Sequence, residues 1–157
     1  MSSTAKSKHA SGFSLIELLI SMGMISALLS VVIPNVRAMI AEGQLTKVDG
    51  ELVTLKNAIT SYWRNQSAYP ANVHTALVAA TPQMIAQILP DPFNTDAVNQ
   101  TYGYLTGTDS AFGPYFVVYS QGPRGDTVAP TWDASNQWFT YSGSGRVISN
   151  APAVQAP

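Results

Sequence analysis

The sequence has no cysteine and few charges: 157 residues carry 8 Lys and Arg, 9 Asp and Glu, and a formal net charge of −1. Without cysteine the chain can form neither a disulfide nor a thiolate metal site, and compartment must be read from other features. Charged residues make up 11%, against about 25% in an average soluble protein, and Ala, Ser, Thr, Asn, Gln and Tyr fill the difference. That composition suits a neutral polar exterior. The Lys and Arg residues are scattered rather than striped, so there is no basic field to hold nucleic acid. Beyond the first dozen residues His74 is the only histidine, and no Gly-rich phosphate loop follows a strand-like run. An enzyme is not the reading, and a lone histidine of this kind reads as a surface residue.

What the sequence does have is concentrated at its N-terminus. Met1 to Gly12 is small and polar, with Lys6, Lys8 and His9 but no acid, and an apolar run follows from Phe13 to Ile33, broken only by Glu17 and scattered Ser and Gly. At about 1.5 Å per residue this run spans roughly 31 Å as a helix, enough for a hydrocarbon core of about 30 Å. Lysines ahead of the run and no equal cluster behind it place the leader in the cytoplasm and the rest of the chain outside. A secretory signal peptide would have a shorter apolar stretch and a small-x-small cleavage site, whereas this run ends in Ile-Pro-Asn-Val-Arg. A plain anchor accounts for the length but not for Glu17, because an acid inside a bilayer is costly and normally has a partner.

The stretch Gly12-Phe13-Ser14-Leu15-Ile16-Glu17-Leu18-Leu19 resembles the class III signal of type IV pilins and of the pseudopilins of type II secretion. The resemblance implies a cut between Gly12 and Phe13 by a membrane-embedded prepilin peptidase, methylation of the new amine on Phe13, and retention of the apolar run. It also implies that Pro34, 21 residues beyond Phe13, bends the helix. Glu17 then has a mechanistic reading: as helices pack into a filament core, its carboxylate pairs with the Phe13 amine of a neighbouring subunit. At about 4 Å and an effective dielectric near 20 such a pair gains about 4 kcal/mol before desolvation. A subunit out of register would leave the charge unpaired, so Glu17 is expected to select axial stagger.

Past Pro34 the pattern becomes amphipathic. Leu45, Val48, Leu52, Leu55, Ile59 and Tyr62 recur at three- and four-residue steps with Lys47, Asp49, Glu51 and Lys56 between them, the stripe of a helix packed on its own domain. From Phe13 to about Gln66 an unbroken helix extends about 80 Å, ending before Ala68-Tyr69-Pro70 because proline disfavours helix in the residue ahead of it. Short helical turns are expected at Thr75 to Ala80 and at Pro82 to Leu89. Strands are expected at Thr101 to Leu105, at Tyr115 to Ser120, and at Trp138 to Ser149, the last a hairpin about Ser142-Gly143-Ser144-Gly145.

The fold expected is therefore α+β and pilin-like, a long N-terminal helix packed on a small antiparallel sheet. Its organisation is a leader over 1–12 that is removed, a transmembrane helix and filament core over 13–36, a periplasmic head over 37–149, and a flexible tail over 150–157. Tyr69-Pro70, Asp91-Pro92-Phe93, and Tyr119-Ser120 followed by Gly122 are similar in order to motifs of the major pseudopilin. That resemblance implies a subunit of a type II secretion pseudopilus in the bacterial inner membrane. Its N-terminus would be cytoplasmic and its head periplasmic, with copies of itself, prepilin peptidase, an assembly platform, minor pseudopilins and membrane lipid as partners. It also implies calcium in the loop from Ser120 to Asp133, where Asp126 and Asp133 are the carboxylates on offer, while Asp91, Asp96 and Asp109 read as turn formers. Two other readings stay open, a type IV pilin of a surface fibre for motility, attachment or DNA uptake, and a membrane-anchored binding domain that never polymerises.

Overall fold

The structure, a computed structural model, describes residues 13–96 and 100–156. The chain divides into two compact units between Ile40 and Ala41. Helix α1 (Leu15–Gln66) contributes residues to both, and Pro34 lies inside it without ending it.

In the second unit the predicted stripe becomes core. Val48, Leu52, Leu55 and Ile59 are each no more than 2% exposed, because three- and four-residue steps keep them on one helix face. α1 stops at Gln66, where Ser67 N–H donates to Trp63 O (2.7 Å) and Ser67 takes a left-handed φ of 55°. Helix α2 (Val73–Ala79) follows, capped by Asn72, whose Oδ1 accepts from the His74 and Thr75 amides at 3.0 and 3.3 Å. The second helical turn expected, over Pro82 to Leu89, does not form. The Met84 and Ile85 amides both donate back to Leu77 O, so this segment folds onto the end of α2 instead of building its own ladder.

Strands β1 (Gly103–Asp109), β2 (Gly113–Tyr119) and β5 (Val147–Ser149) form an antiparallel sheet in the order β1-β2-β5. Strands β3 (Val128–Asp133), β4 (Trp138–Ser142) and β6 (Ala153–Gln155) form another, in the order β3-β4-β6 with β6 parallel to β4. β2 is the hinge of the packing: Phe116, Val117 and Val118 are all fully buried. Phe116 and Val118 join Tyr102 against the α1 stripe, while Val117 points the other way, to Phe139, Ala151, Tyr115 and Trp132. A strand covered on both faces reads as a continuous apolar run, which is why Tyr115 to Ser120 is legible as a strand. The architecture is the α+β, pilin-like arrangement expected, a long helix on a small antiparallel sheet, with a second sheet behind it.

Three expectations need correction. Trp138 to Ser149 is not a hairpin: β4 pairs with β3 and β6, whereas β5 pairs with β2. The Ser-Gly-Ser-Gly segment is instead a corner between sheets, pinned where Asp126 Oδ1 accepts from Ser144 N–H (2.7 Å) and Thr127 Oγ1 from Gly145 N–H (2.7 Å). Gly143 sits there at φ 108° with the Asp126 and Thr127 backbone against it, so no side chain fits. The loop after Ser120 holds a strand, β3, whose Pro130 and register shift weaken its signature. The tail is not loose at its start, since β6 is tied by Phe139 N–H to Pro152 O (2.8 Å) and by Ala156 N–H to Tyr141 O (2.7 Å).

Candidate functional site

The described part of the N-terminal signal begins at Phe13; Gly12, and with it the expected cut, lies outside the described residues. Phe13 precedes α1, whose first backbone bond runs from Leu18 N–H to Ser14 O (3.1 Å). Every side chain from Phe13 to Ile40 is exposed, Phe13 at 81% and Leu15 at 78%. No charged residue occurs between Glu17 and Arg37, and α1 is long and apolar enough in this stretch to cross a membrane. Two of its serines are satisfied locally, Ser21 Oγ donating to Glu17 O and Ser30 Oγ to Ala27 O, each at 2.7 Å. Glu17 is the one charged side chain between Phe13 and Val36 that a bilayer or neighbouring helices would have to accommodate.

Glu17 falls in the first turn of α1. There the unpaired amides and the positive end of the helix dipole favour a carboxylate by about 0.3–1 kcal/mol. That reduces the cost of holding an acid in this segment, and Ser14-x-x-Glu17 is the sequence signal that could have marked the helix start. Pro34 removes one backbone donor without interrupting α1.

The acids of the head divide by role. Asp126 lies before β3 and Asp133 at its far end. The five strand steps from Val128 to Asp133, at about 3.3 Å each, separate them by more than any single coordination sphere. Asp126 Oδ1 accepts from the Ser144 hydroxyl (2.6 Å) and amide, which hold its carboxyl below the usual range. Asp133 accepts from the Asn136 side chain (2.7 Å) and from the Asn136 and Ser135 amides, and is lowered likewise. Among the described residues no group of three or more His, Asp or Glu side chains stands where it could hold a metal. The calcium pair Asp126 and Asp133 therefore does not fit one ion; both are turn ligands for backbone.

Asp91 does more than form a turn. At 2% exposure its Oδ1 accepts from Phe93 N–H (3.0 Å) and Ser120 Oγ (2.8 Å), and its Oδ2 from Gln121 N–H (2.8 Å). Three donors offset the burial of one charge, and they lock the Asp-Pro-Phe turn to the end of β2. Two motifs read separately along the chain thus meet in one cluster. Asp109 is a turn former, accepting from the Phe112 and Ala111 amides and from the Trp132 indole, which lower its carboxyl. His74 is not a free surface residue. It is half-buried, its Nε2 lies 2.9 Å from Tyr102 O, its Nδ1 is buried without a partner, and burial lowers its pKa. A carbonyl can only accept, so Nε2 carries the proton and Nδ1 is a bare lone pair. Nothing in the sequence separates such a histidine from an exposed one.

Comparison with known proteins agrees with this geometry. Residues 7–33 match the family described as the prokaryotic N-terminal methylation motif. A relative over most of the chain is the fimbrial protein EcpC of Eikenella corrodens, 26% identical over 148 residues, which cover 93% of this chain and 87% of that protein. No solved structure matches.

Proposed function

We propose, on the premise that the chain belongs to the type IV pilin family, that it is the major subunit of a type II secretion pseudopilus. The coarser statement stands by itself: this is a type IV pilin-like fibre subunit with an N-terminal helix fit for membrane anchorage. The observation that carries the proposal is the union of a methylation-type signal with an apolar first part of α1, residues 15–36, whose side chains are all exposed and whose single acid lies in the first turn. Cleavage before Phe13 creates an amine where none existed. Its positive charge can meet Glu17 of a neighbouring copy, so that each incoming subunit is held at one axial step. The membrane stores processed subunits, and a platform in the inner membrane extracts them into a filament that grows into the periplasm.

The secretion reading is supported by Tyr69-Pro70, Asp91-Pro92-Phe93 and Ser120, and by the Asp91 cluster that joins the last two. One specific observation favours a surface fibre instead, the fimbrial relative that spans most of the chain. The location of filaments separates the two, periplasmic and short or sheared from the cell surface.

Glu17→Ala tests assembly. The variant is expected to be made, inserted and trimmed, but to be lost from sheared or periplasmic filaments by at least about tenfold, the effect of about 1.4 kcal/mol at each subunit addition. Filaments of normal yield from Glu17→Ala would sink the pairing.

A further inference from the structure

Hydrogen bonds fix which backbone groups of β1 are free. Phe116 N–H donates to Asn150 Oδ1 (2.8 Å) and Ser120 N–H to Arg146 O (2.9 Å), so residues 116, 118 and 120 turn their backbone groups toward the β5 side. Their partners across the ladder, Thr106 opposite Phe116 and Tyr104 opposite Val118, therefore turn theirs away from β2, as does Thr108 opposite Pro114. The contact of Tyr102 O with His74 has the same parity. Since β1 is an edge of its sheet, Thr106 and Thr108 present N–H and C=O groups that no strand among the described residues covers.

Beside this edge lies an open cleft of about 350 Å³, lined by Trp63, Ser67, Tyr69, Thr106, Thr108 and Pro114. It is within the size range of small-ligand sites, about 300–1,000 Å³. Trp63 is 38% exposed, and its ring stands 6.1 Å from that of Tyr69 at 33°, making an angled aromatic wall. Ser67, at the rim, is held in a left-handed conformation that a non-glycine residue rarely adopts. Among the described residues no Asp, Glu, Lys, Arg or His lines the cleft, so an ionic ligand would find no counter-charge from them.

We propose that this cleft binds a neutral carbohydrate ring stacked on Trp63. A sugar ring has an apolar C–H face and an edge of hydroxyls that both donate and accept. The cleft offers the same pairing, an exposed indole for the face, and for the edge the hydroxyls of Ser67 and Thr108 with the free N–H and C=O groups of Thr106 and Thr108. An extended peptide fits less well. α2 already occupies the edge at Tyr102 through His74, which leaves at most Tyr104 to Thr108, and of its outward-turned residues only Thr106 and Thr108 line the cleft. The inference concerns the head alone and stands or falls independently of filament assembly.

The test uses the full chain in dodecylphosphocholine micelles, whose headgroup carries no sugar. Lactose, maltose and N,N′-diacetylchitobiose are titrated, with glucuronic acid as the charged control, and followed by saturation-transfer NMR and tryptophan emission. At least one neutral disaccharide binds saturably. Trp63→Ala weakens it by about tenfold or more, Trp63→Phe by less because a ring remains, and Trp138→Ala leaves it unchanged. The proposal is overturned if no neutral sugar saturates, if Trp63→Ala binds as wild type, or if glucuronic acid binds as tightly. It is also overturned if tryptophan emission shifts with protein concentration and not with sugar, because a second copy would then cover Trp63.

Discussion

At the scale of single residues, His74 shows how a side chain without catalytic company can shape behaviour. Burial lowers its pKa below the unfolded 6.5, against the opposing bond to Tyr102 O. The folded chain therefore binds fewer protons than the unfolded one, and stability rises with pH. Stability from this site is intact above about pH 6.5 and is lost as pH falls through the lowered folded value. The titratable groups that line the site with it, Tyr102 and Tyr104, stay neutral across that window, Tyr102 raised by burial and the Glu51 bond, Tyr104 pushed up to about 12 by burial. Thermal unfolding should thus shift to lower temperature between about pH 7 and pH 5, and His74→Gln should flatten that slope. An unchanged slope in the variant would place the pH response elsewhere. Glu17 is the opposite case. A lone acid in an apolar run demands a reason from the sequence alone, whereas His74 and Asp91 acquire theirs only from residues far along the chain. Asp91 and Ser120 are 29 residues apart, and no local pattern announces that pairing.

At the scale of elements, legibility followed periodicity. The α1 stripe carries a strong repeat and β2 a continuous apolar run, and both formed where those patterns put them. β3, β5 and β6 are short strands whose pairing is decided by tertiary contacts, and a glycine-rich segment between two apolar runs looks like a hairpin whether or not the runs pair. The corner at Gly143 joins two sheets because Asp126 and Thr127 hold it, each bond reaching 18 residues along the sequence. β6 provides a direct check. Deleting residues after Pro152 removes the Ala156 bond to Tyr141 and the parallel pairing on β4. The expected result is a melting temperature lower by a few degrees, as for the loss of about 1 kcal/mol, with faster amide exchange confined to β4. Unchanged exchange in β4 would mean that the tail contributes nothing to its sheet.

At the scale of the whole molecule, the two units ask different things of their surroundings. The second carries its own core, α1 against β2 and the second sheet behind it. In the first, apolar side chains remain exposed from Phe13 to Ile40, a surface that a bilayer or the helices of other copies would cover. The N-terminal methylation motif matched over residues 7–33 covers most of this segment, so processing of the kind proposed would act on the part of the chain that changes partner if a fibre grows. Assembly as proposed begins with one covalent event, cleavage before Phe13, and the most direct measurement of it is N-terminal mass spectrometry of the chain recovered from filaments made in cells with an active prepilin peptidase. The expected result is a mature chain that begins at Phe13, carries one methyl group on its amine and retains Glu17. Filaments built of chains that still begin at Met1, or at any residue other than Phe13, would contradict it.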